Sequence, residues 1–114
     1  MKTLDKIHLT PAQKKALLDL KTKLYQKFDI ISITIFGSTV RGENDPESDL
    51  DILIITRKPL QRLLRHQITD LVCEVNLKFD TNLSTLVVDQ AGWESGLYSI
   101  LPIHNEILEE GVLL

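Results

Sequence analysis

Residues 30–56 read IISITIFGSTVRGENDPESDLDILIIT, and this segment contains the most informative pattern in the chain. In its first seven residues β-branched or aromatic side chains alternate with hydroxyl residues, and Gly37 follows them directly. Such alternation is typical of a β-strand, and glycine often marks its end. A polar, turn-rich segment comes next, and residues 50–55 then form an apolar run that is interrupted only by Asp51. The segment therefore predicts two strands joined by a polar loop.

Helical patterns lie on both sides of these strands. Thr10 followed by Pro11 is typical of a helix N-cap and first helical position. Leucine and phenylalanine side chains then recur every three or four positions, which predicts a helix over residues 11–28. The same spacing continues for five turns over residues 60–79, with additional apolar residues that widen the stripe. We expect this second helix to cover the sheet.

The C-terminal third completes the predicted fold. Residues 83–88 form a third β-branched run, and Pro102 and Gly111 bracket a short helix over residues 103–110. The element order α-β-β-α-β-α predicts an α/β fold, with a small mixed sheet of three or more strands flanked by helices. Because a strand-helix-strand crossover normally joins parallel strands, we expect the second and third strands to be parallel.

The composition of the 114 residues is that of an ordinary globular domain, with 43% hydrophobic and 25% charged residues. Disordered, collagen-like and disulfide-stapled proteins are excluded on this basis, and the length suits one core, so we expect a single domain over residues 1–114. No apolar run approaches the ~20 residues that cross a bilayer, and no signal-peptide pattern is present. Cys73 is the only cysteine and is expected to be buried packing. We expect a soluble cytoplasmic protein without a membrane partner.

The formal net charge of −3 hides an uneven distribution of charge. Residues 1–28 contain seven lysines, whereas five acidic residues crowd into residues 43–51. Lysines on the exposed face of an amphipathic helix are usually only solvated. No RNA-binding aromatic motif, zinc-finger spacing or arginine-rich arm accompanies them, so nucleic acid is not directly indicated as a partner.

Asp49 and Asp51 are the first candidate functional residues. Side chains two positions apart on a strand point to the same side, with Cα atoms about 6.6 Å apart. If the carboxyl oxygens converge to about 5 Å at an effective dielectric constant near 20, their repulsion is on the order of 3 kcal/mol. Either one carboxylate takes up a proton or a hard cation binds between them, and oxygen-only ligands favour Mg²⁺ or Mn²⁺.

Gly37 and Ser38 favour the cation. A glycine directly after a strand, followed by a hydroxyl residue and a tight turn, exposes backbone N–H groups and an O–H that suit phosphate oxygens. Residues 37–42 have the glycine spacing of a P-loop, but Glu43 and Asn44 stand where that motif requires Lys and Ser or Thr. Alone, a Gly-Ser turn is usually a hairpin loop and an Asp-x-Asp pair is usually solvated. Their combination at this spacing indicates nucleotide chemistry.

The two segments that carry this chemistry resemble a known family. Residues 37–42 read GSTVRG and residues 48–51 read SDLD, which is similar to the signature of the minimal nucleotidyltransferases of the DNA polymerase beta superfamily. The resemblance implies that Gly37 and Ser38 hold the triphosphate of a nucleotide and that Asp49 and Asp51 bind a divalent metal.

The resemblance also implies an activity and a partner. The expected reaction is metal-dependent transfer of a nucleoside monophosphate, AMP from ATP, onto an acceptor hydroxyl that a partner protein could carry. Family members of this size often act as the antitoxin of a small helical HEPN protein. The alternative is therefore a weak or inactive antitoxin-type module that masks a HEPN partner, through either residues 11–28 or residues 93–114. Trp93, Tyr98 and Leu101 either cover the sheet or contribute to such a surface.

The superfamily uses a third carboxylate, and its position here is left open. With parallel second and third strands, Asp80 at the start of the third strand is the expected third metal ligand and catalytic base. Asp89 lies at the far end of that strand and Glu74 lies inside the preceding helix. Asp80 also fits a helix-ending turn, and hydroxyl residues occupy positions 84–85, where the family often has the acid. Arg41 is expected to contact either a phosphate or a neighbouring acidic side chain.

Overall fold

The computed structural model describes residues 7–37, 40 and 49–114. Its helices and strands follow the predicted order. After the third strand the structure has the predicted last helix and three further short elements. The elements are α1 (Pro11–Lys27), β1 (Ile30–Phe36), β2 (Leu50–Thr56), α2 (Arg62–Phe79), β3 (Leu83–Asp89), α3 (Gln90–Glu94), a 3₁₀ helix (Leu97–Ile100), α4 (Pro102–Glu110) and β4 (Val112–Leu113).

The sheet is mixed, as the sequence predicts. Its strand order is β3-β2-β1-β4. Strands β2 and β3 are parallel, whereas β1 is antiparallel to both β2 and β4. The α/β fold class and the parallel crossover are therefore confirmed. The two-residue strand β4 and the short helix α3 were not predicted, because segments of this length contain too few residues to show a periodic pattern.

Helix α1 begins where its sequence predicts. The Gln13 backbone N–H donates to Thr10 Oγ1 at 3.1 Å, and the Thr10 N–H donates to Gln13 Oε1 at 2.9 Å. This reciprocal capping box satisfies N–H groups that have no partner inside the helix. The helix ends at Lys27, one residue before the predicted end, because Phe28 already has extended backbone angles.

Helices cover both faces of the sheet. On one face α1 and α2 bury a large cluster that includes Ile52 and Ile54 of β2. On the other face α3, the 3₁₀ helix and α4 cover a smaller cluster that includes Leu53 and Ile55. Strand side chains alternate between faces, so burial on both faces explains the nearly continuous apolar run of β2.

The prediction that Cys73 is buried is wrong, because its side chain is exposed. Cys73 follows the buried Val72 on α2, and one position along a helix rotates a side chain by about 100°. That rotation carries Cys73 off the apolar stripe. Among residues 7–37, 40 and 49–114, no helix combines the length and hydrophobicity that crossing a bilayer requires.

Candidate functional site

A glycine turn and a carboxylate meet where β1 ends and β2 begins. Phe36, the last residue of β1, pairs with Asp51 of β2, so Gly37 leaves the sheet directly beside Asp51. Gly37 has φ +86°, and a Cβ at this position would overlap Asp51 Oδ2 and lie 3.3 Å from Asp51 Cγ. Both the left-handed backbone and the close approach require a residue without a side chain. The structure therefore brings Gly37 and Asp51 together.

The segment after Gly37 is attached to the core by Val40. The Val40 N–H donates to the Gly37 carbonyl oxygen at 3.2 Å. The Val40 side chain is buried with the α1 and α2 cluster. Ser38 and Arg41, the other predicted nucleotide-binding residues, lie outside the described residues.

Asp49 and Asp51 flank the first residue of β2. Leu50 is buried, and its N–H donates to the Asn82 carbonyl oxygen at 2.9 Å, which fixes the start of the strand against the β3 side. Asp51 points to the opposite face from Leu50, is half-buried and shares its face with Leu53. Asp49 directly precedes the strand and is exposed. The pair thus stands at the β2 end nearest the glycine turn.

Asp80 has a different local environment. It is the C-cap of α2, is exposed and has left-handed backbone angles, φ 54° and ψ 52°. Asn76 holds this junction together. Its Oδ1 accepts from the Leu83 N–H at 2.8 Å and from Thr81 Oγ1 at 3.1 Å, and its Nδ2 donates to the Leu83 carbonyl oxygen at 3.1 Å. Asn76 belongs to no motif in the sequence, and its place in the last turn of a predicted helix is the one signal that could have indicated its role.

The register of β2 and β3 determines which residue lies level with the acid pair. Asp51 pairs with Ser84, and paired residues of neighbouring strands project to the same face of a sheet. Position 84 therefore carries a hydroxyl where a third carboxylate would face Asp51. Asp80 lies four positions earlier in the chain, before β3 starts.

The described residues contain no group of three His, Cys, Asp or Glu side chains placed to hold a metal ion. The structure therefore does not assemble Asp49, Asp51 and Asp80 into a three-carboxylate group. The two other acids that were weighed are also remote from Asp51: Asp89 caps α3 by accepting from the Gly92 N–H at 3.1 Å, and Glu74 lines a surface cleft between α1 and α2. The role of Asp80 as a metal ligand stays a prediction.

The Gly37–Asp51 corner presents donor groups of the kind that suit a divalent cation. Asp49 and Asp51 offer only oxygen donors, which are the ligands that Mg²⁺ and Mn²⁺ prefer. Gly37 leaves no room for a side chain beside this carboxylate, so a larger residue would displace it. The residues at this corner are therefore compatible with a bound cation.

Comparison with known proteins identifies the family. A family model described as "Nucleotidyltransferase domain" matches residues 14–113. The chain belongs to the nucleotidyltransferase domain family. This assignment confirms the resemblance to minimal nucleotidyltransferases, and it supports a transferase at the level of the family.

Two similar proteins from Methanocaldococcus jannaschii carry related names. "Putative protein adenylyltransferase MJ1305" is 38% identical over 90 residues, which cover 75% of this chain and 60% of MJ1305. "Putative protein adenylyltransferase MJ0126" is 38% identical over 76 residues, which cover 63% of this chain and 71% of MJ0126. This nucleotidyltransferase domain thus spans less than two thirds of MJ1305.

Solved structures share the fold. A "putative minimal nucleotidyltransferase" superposes with a TM-score of 0.59 at 22% identity, covering 89% of this chain and 90% of that one. A toxin-antitoxin with AMP-PNP gives a TM-score of 0.58 at 18% identity, covering 88% and 70%. The toxin-antitoxin MntA-HepT gives 0.54 at 16% identity, covering 89% and 70%. At these identities the likeness shows the nucleotidyltransferase fold alone.

Proposed function

We propose that this domain binds ATP with Mg²⁺ or Mn²⁺ at the Gly37–Asp51 corner and transfers AMP to a hydroxyl of a partner protein. The close approach of the left-handed Gly37 to the Asp51 carboxylate carries the proposal, because a glycine turn of the kind that suits phosphate then adjoins an acid of the kind that suits a cation. The proposal is supported by the adenylyltransferase names of the M. jannaschii relatives. A reaction that consumes ATP fits a cytoplasmic location.

The proposed reaction forms one bond and breaks one. The acceptor oxygen attacks the α-phosphorus of ATP, the bond from that phosphorus to the bridging oxygen of the β-phosphate breaks, and pyrophosphate leaves. The hydroxyl proton passes to a base or to solvent. Divalent metal supplies charge stabilisation for the attacking and leaving oxygens when it is bound.

Each candidate residue has a defined part in this proposal. Gly37 and Ser38 would donate backbone N–H groups, and Ser38 also its hydroxyl, to phosphate oxygens. Asp49 and Asp51 would hold the cation, and Arg41 would neutralise phosphate charge. In this proposal Asp80 acts as the third carboxylate only if its side chain reaches toward β2 from the end of α2; if it does not, Asp80 only caps that helix.

A HEPN-type helical protein is the proposed acceptor. Two of the structural neighbours are toxin-antitoxin complexes, and one of these contains AMP-PNP. We therefore propose the same classes of nucleotide and partner for this domain.

The hydroxyl at position 84 favours a second candidate function. Ser84 cannot supply the negative charge that would complete a three-carboxylate site level with Asp51. A site with only two carboxylates would hold metal more weakly and lack a positioned base. The second candidate is therefore a catalytically weak antitoxin-type module that masks its HEPN partner by binding alone.

Intact-mass measurement separates the two candidates. The chain is co-purified with a HEPN protein, and the mass of that protein is measured with ATP and Mg²⁺ and without ATP, with Asp51→Asn as the matched control. An ATP-dependent increase of one or more AMP units, absent in the control, supports the transferase. A complex without any increase supports the binding module, and the absence of both complex and increase contradicts both.

A further inference from the structure

Three large apolar side chains are exposed on the layer that covers the second face of the sheet: Leu97, Ile100 and Leu108. This C-terminal layer consists of α3, the 3₁₀ helix and α4, residues 90–110. Leu97 and Ile100 are 67% and 78% exposed, and their spacing of three places them on one side of a 3₁₀ helix. Exposed apolar groups in one layer are typical of an interaction surface rather than of a freely solvated one.

Ring packing connects the elements of this layer. The Trp93 ring of α3 and the His104 ring of α4 lie with centroids 4.5 Å apart. Leu108, which is 48% exposed, follows His104 by one helical turn and so lies on the same side of α4. Leu108 therefore lies on the same side of α4 as the ring that packs on Trp93.

The C-terminal layer is strongly acidic. The sequence contains no lysine or arginine after Lys78, while the layer carries Glu94, Glu106, Glu109 and Glu110. Of these, Glu94, Glu106 and Glu109 are exposed. A surface with one sign of charge around apolar side chains attracts a partner of the opposite sign and accelerates its association.

The layer also lies on the same sheet face as the candidate site. Leu53 and Ile55 of β2 are buried in the cluster beneath this layer. Asp51 precedes Leu53 by two positions on β2 and so projects to the same face. Asp51 and the layer therefore lie on the same side of the sheet.

Two other classes of occupant fit this surface poorly. Nucleic acid carries phosphate charge, which the glutamates would repel. Among the described residues, the cations lie on α1, on α2 and in the loop between β2 and α2, for example Lys14, Arg62 and Lys58. Because α1 and α2 cover the opposite sheet face, pairing them with the layer of a second copy would be a head-to-tail contact that does not close into a two-fold dimer.

We propose that the C-terminal layer is the docking surface for the acceptor protein, and that the acceptor contacts it with a lysine- or arginine-rich amphipathic helix. Apolar side chains of that helix pack on Leu97 and Ile100, and its cations pair with the surrounding glutamates. The acceptor then approaches the domain from the sheet face that carries Asp51. The inference rests on the proposed function in that it calls the docked protein the acceptor of AMP. The binding test itself is made without ATP and does not depend on transfer.

The test uses two synthetic peptides that have the same apolar residues at the same positions. Each also carries one tyrosine at the same position, as a hydroxyl residue. The first is an amphipathic helix with lysines on its polar face, and the second has glutamates at the same positions. Binding to the full chain is measured by fluorescence anisotropy without ATP. We expect only the lysine peptide to bind, with an affinity that falls as salt concentration rises.

Variants locate the binding surface. We expect Ile100→Asp and Glu106→Lys each to weaken binding of the lysine peptide by about tenfold, since apolar contact and charge attraction are both lost. The matched controls lie on α2, on the other side of the sheet: Leu77→Asp, at a site 85% exposed, and Glu74→Lys. We expect these controls to bind the peptide as the unchanged chain does, with all variants folded by circular dichroism.

Equal binding of both peptides, no binding of either, or equal loss in the layer and control variants would overturn the docking surface. The proposed function has its own readout, which is metal-dependent ATP binding by calorimetry. ATP binding without peptide binding would overturn this inference alone. Peptide binding without ATP binding would support the surface and contradict the transferase.

Discussion

The β1–β2 corner and the α2–β3 junction lie at the same end of the sheet and contain the two left-handed residues of the described chain, Gly37 at φ +86° and Asp80 at φ 54°. At Gly37 this backbone brings a turn against the Asp51 carboxylate. At Asp80 it ends a helix, and the side chain of Asn76 fixes the chain that follows. The same left-handed conformation therefore brings a turn against a carboxylate at Gly37 and ends a helix at Asp80. The difference lies in the side chains that pack against each residue.

Asp51→Asn is expected to have the largest effect of any single change in this comparison. Loss of one metal-binding oxygen and its charge should lower AMP transfer at least about 10²-fold. Thermal stability should stay the same or rise slightly, because repulsion from Asp49 is relieved. The control is Asp70→Asn, an exposed acid on α2. Unfolding of the Asp51 variant, with the control intact, would make Asp51 a structural residue and contradict this account of the corner.

Gly37→Ala is expected to damage both folding and binding. A left-handed alanine and its overlap with the Asp51 carboxylate should lower the free energy of unfolding by about 2 kcal/mol. Triphosphate binding, measured by calorimetry on the folded variant, should weaken by about tenfold or more. The control Gly92→Ala in α3 lacks the positive φ and should leave ATP binding unchanged. Equal ATP affinity in Gly37→Ala and the unchanged chain would remove the turn from the site.

Ser84→Asp is expected to strengthen the site. The new carboxylate would lie level with Asp51 on the same face of β3 and offer a third oxygen ligand. We expect tighter Mg²⁺ binding and about tenfold faster transfer, together with a small loss of stability without metal because like charges then face each other. Ser99→Asp, on the 3₁₀ helix, is the control for added charge. Unchanged metal affinity and rate in Ser84→Asp would show that the site is already complete.

If Asp80 only caps helix α2, changes at this residue are expected to have the smallest effects. Asp80→Gly should raise the free energy of unfolding by up to about 1 kcal/mol, because glycine adopts the left-handed conformation without strain. Asp80→Asn should change transfer by no more than about twofold, as asparagine also tolerates this conformation. A loss of 10²-fold or more in Asp80→Asn, with ATP binding retained, would instead establish Asp80 as the third carboxylate.

The sequence predicted the first region better than the second for physical reasons. Gly37 and Asp51 are fixed by local signals, since a strand end, a glycine and an alternating strand position each constrain the backbone within a few residues. The position of Asp80 along the sheet, relative to Asp51, depends on how the chain returns from the long helix α2 to β3. The hydrogen bonds between the Asn76 side chain and the Leu83 backbone fix that return. Side-chain contacts of this kind leave no periodic trace. The exposure of Cys73 escaped prediction for a related reason, because one step along a helix separates buried from exposed.

Calorimetric titration of the full chain with ATP tests the central claim most directly. The account predicts binding in the presence of Mg²⁺ that is lost when the metal is chelated, and that is also lost or strongly weakened in Asp51→Asn with Mg²⁺ present. The metal-dependent part of the affinity would then originate at the Gly37–Asp51 corner. Binding that is equally tight with and without metal, or absent from a sample shown to be folded, would contradict it.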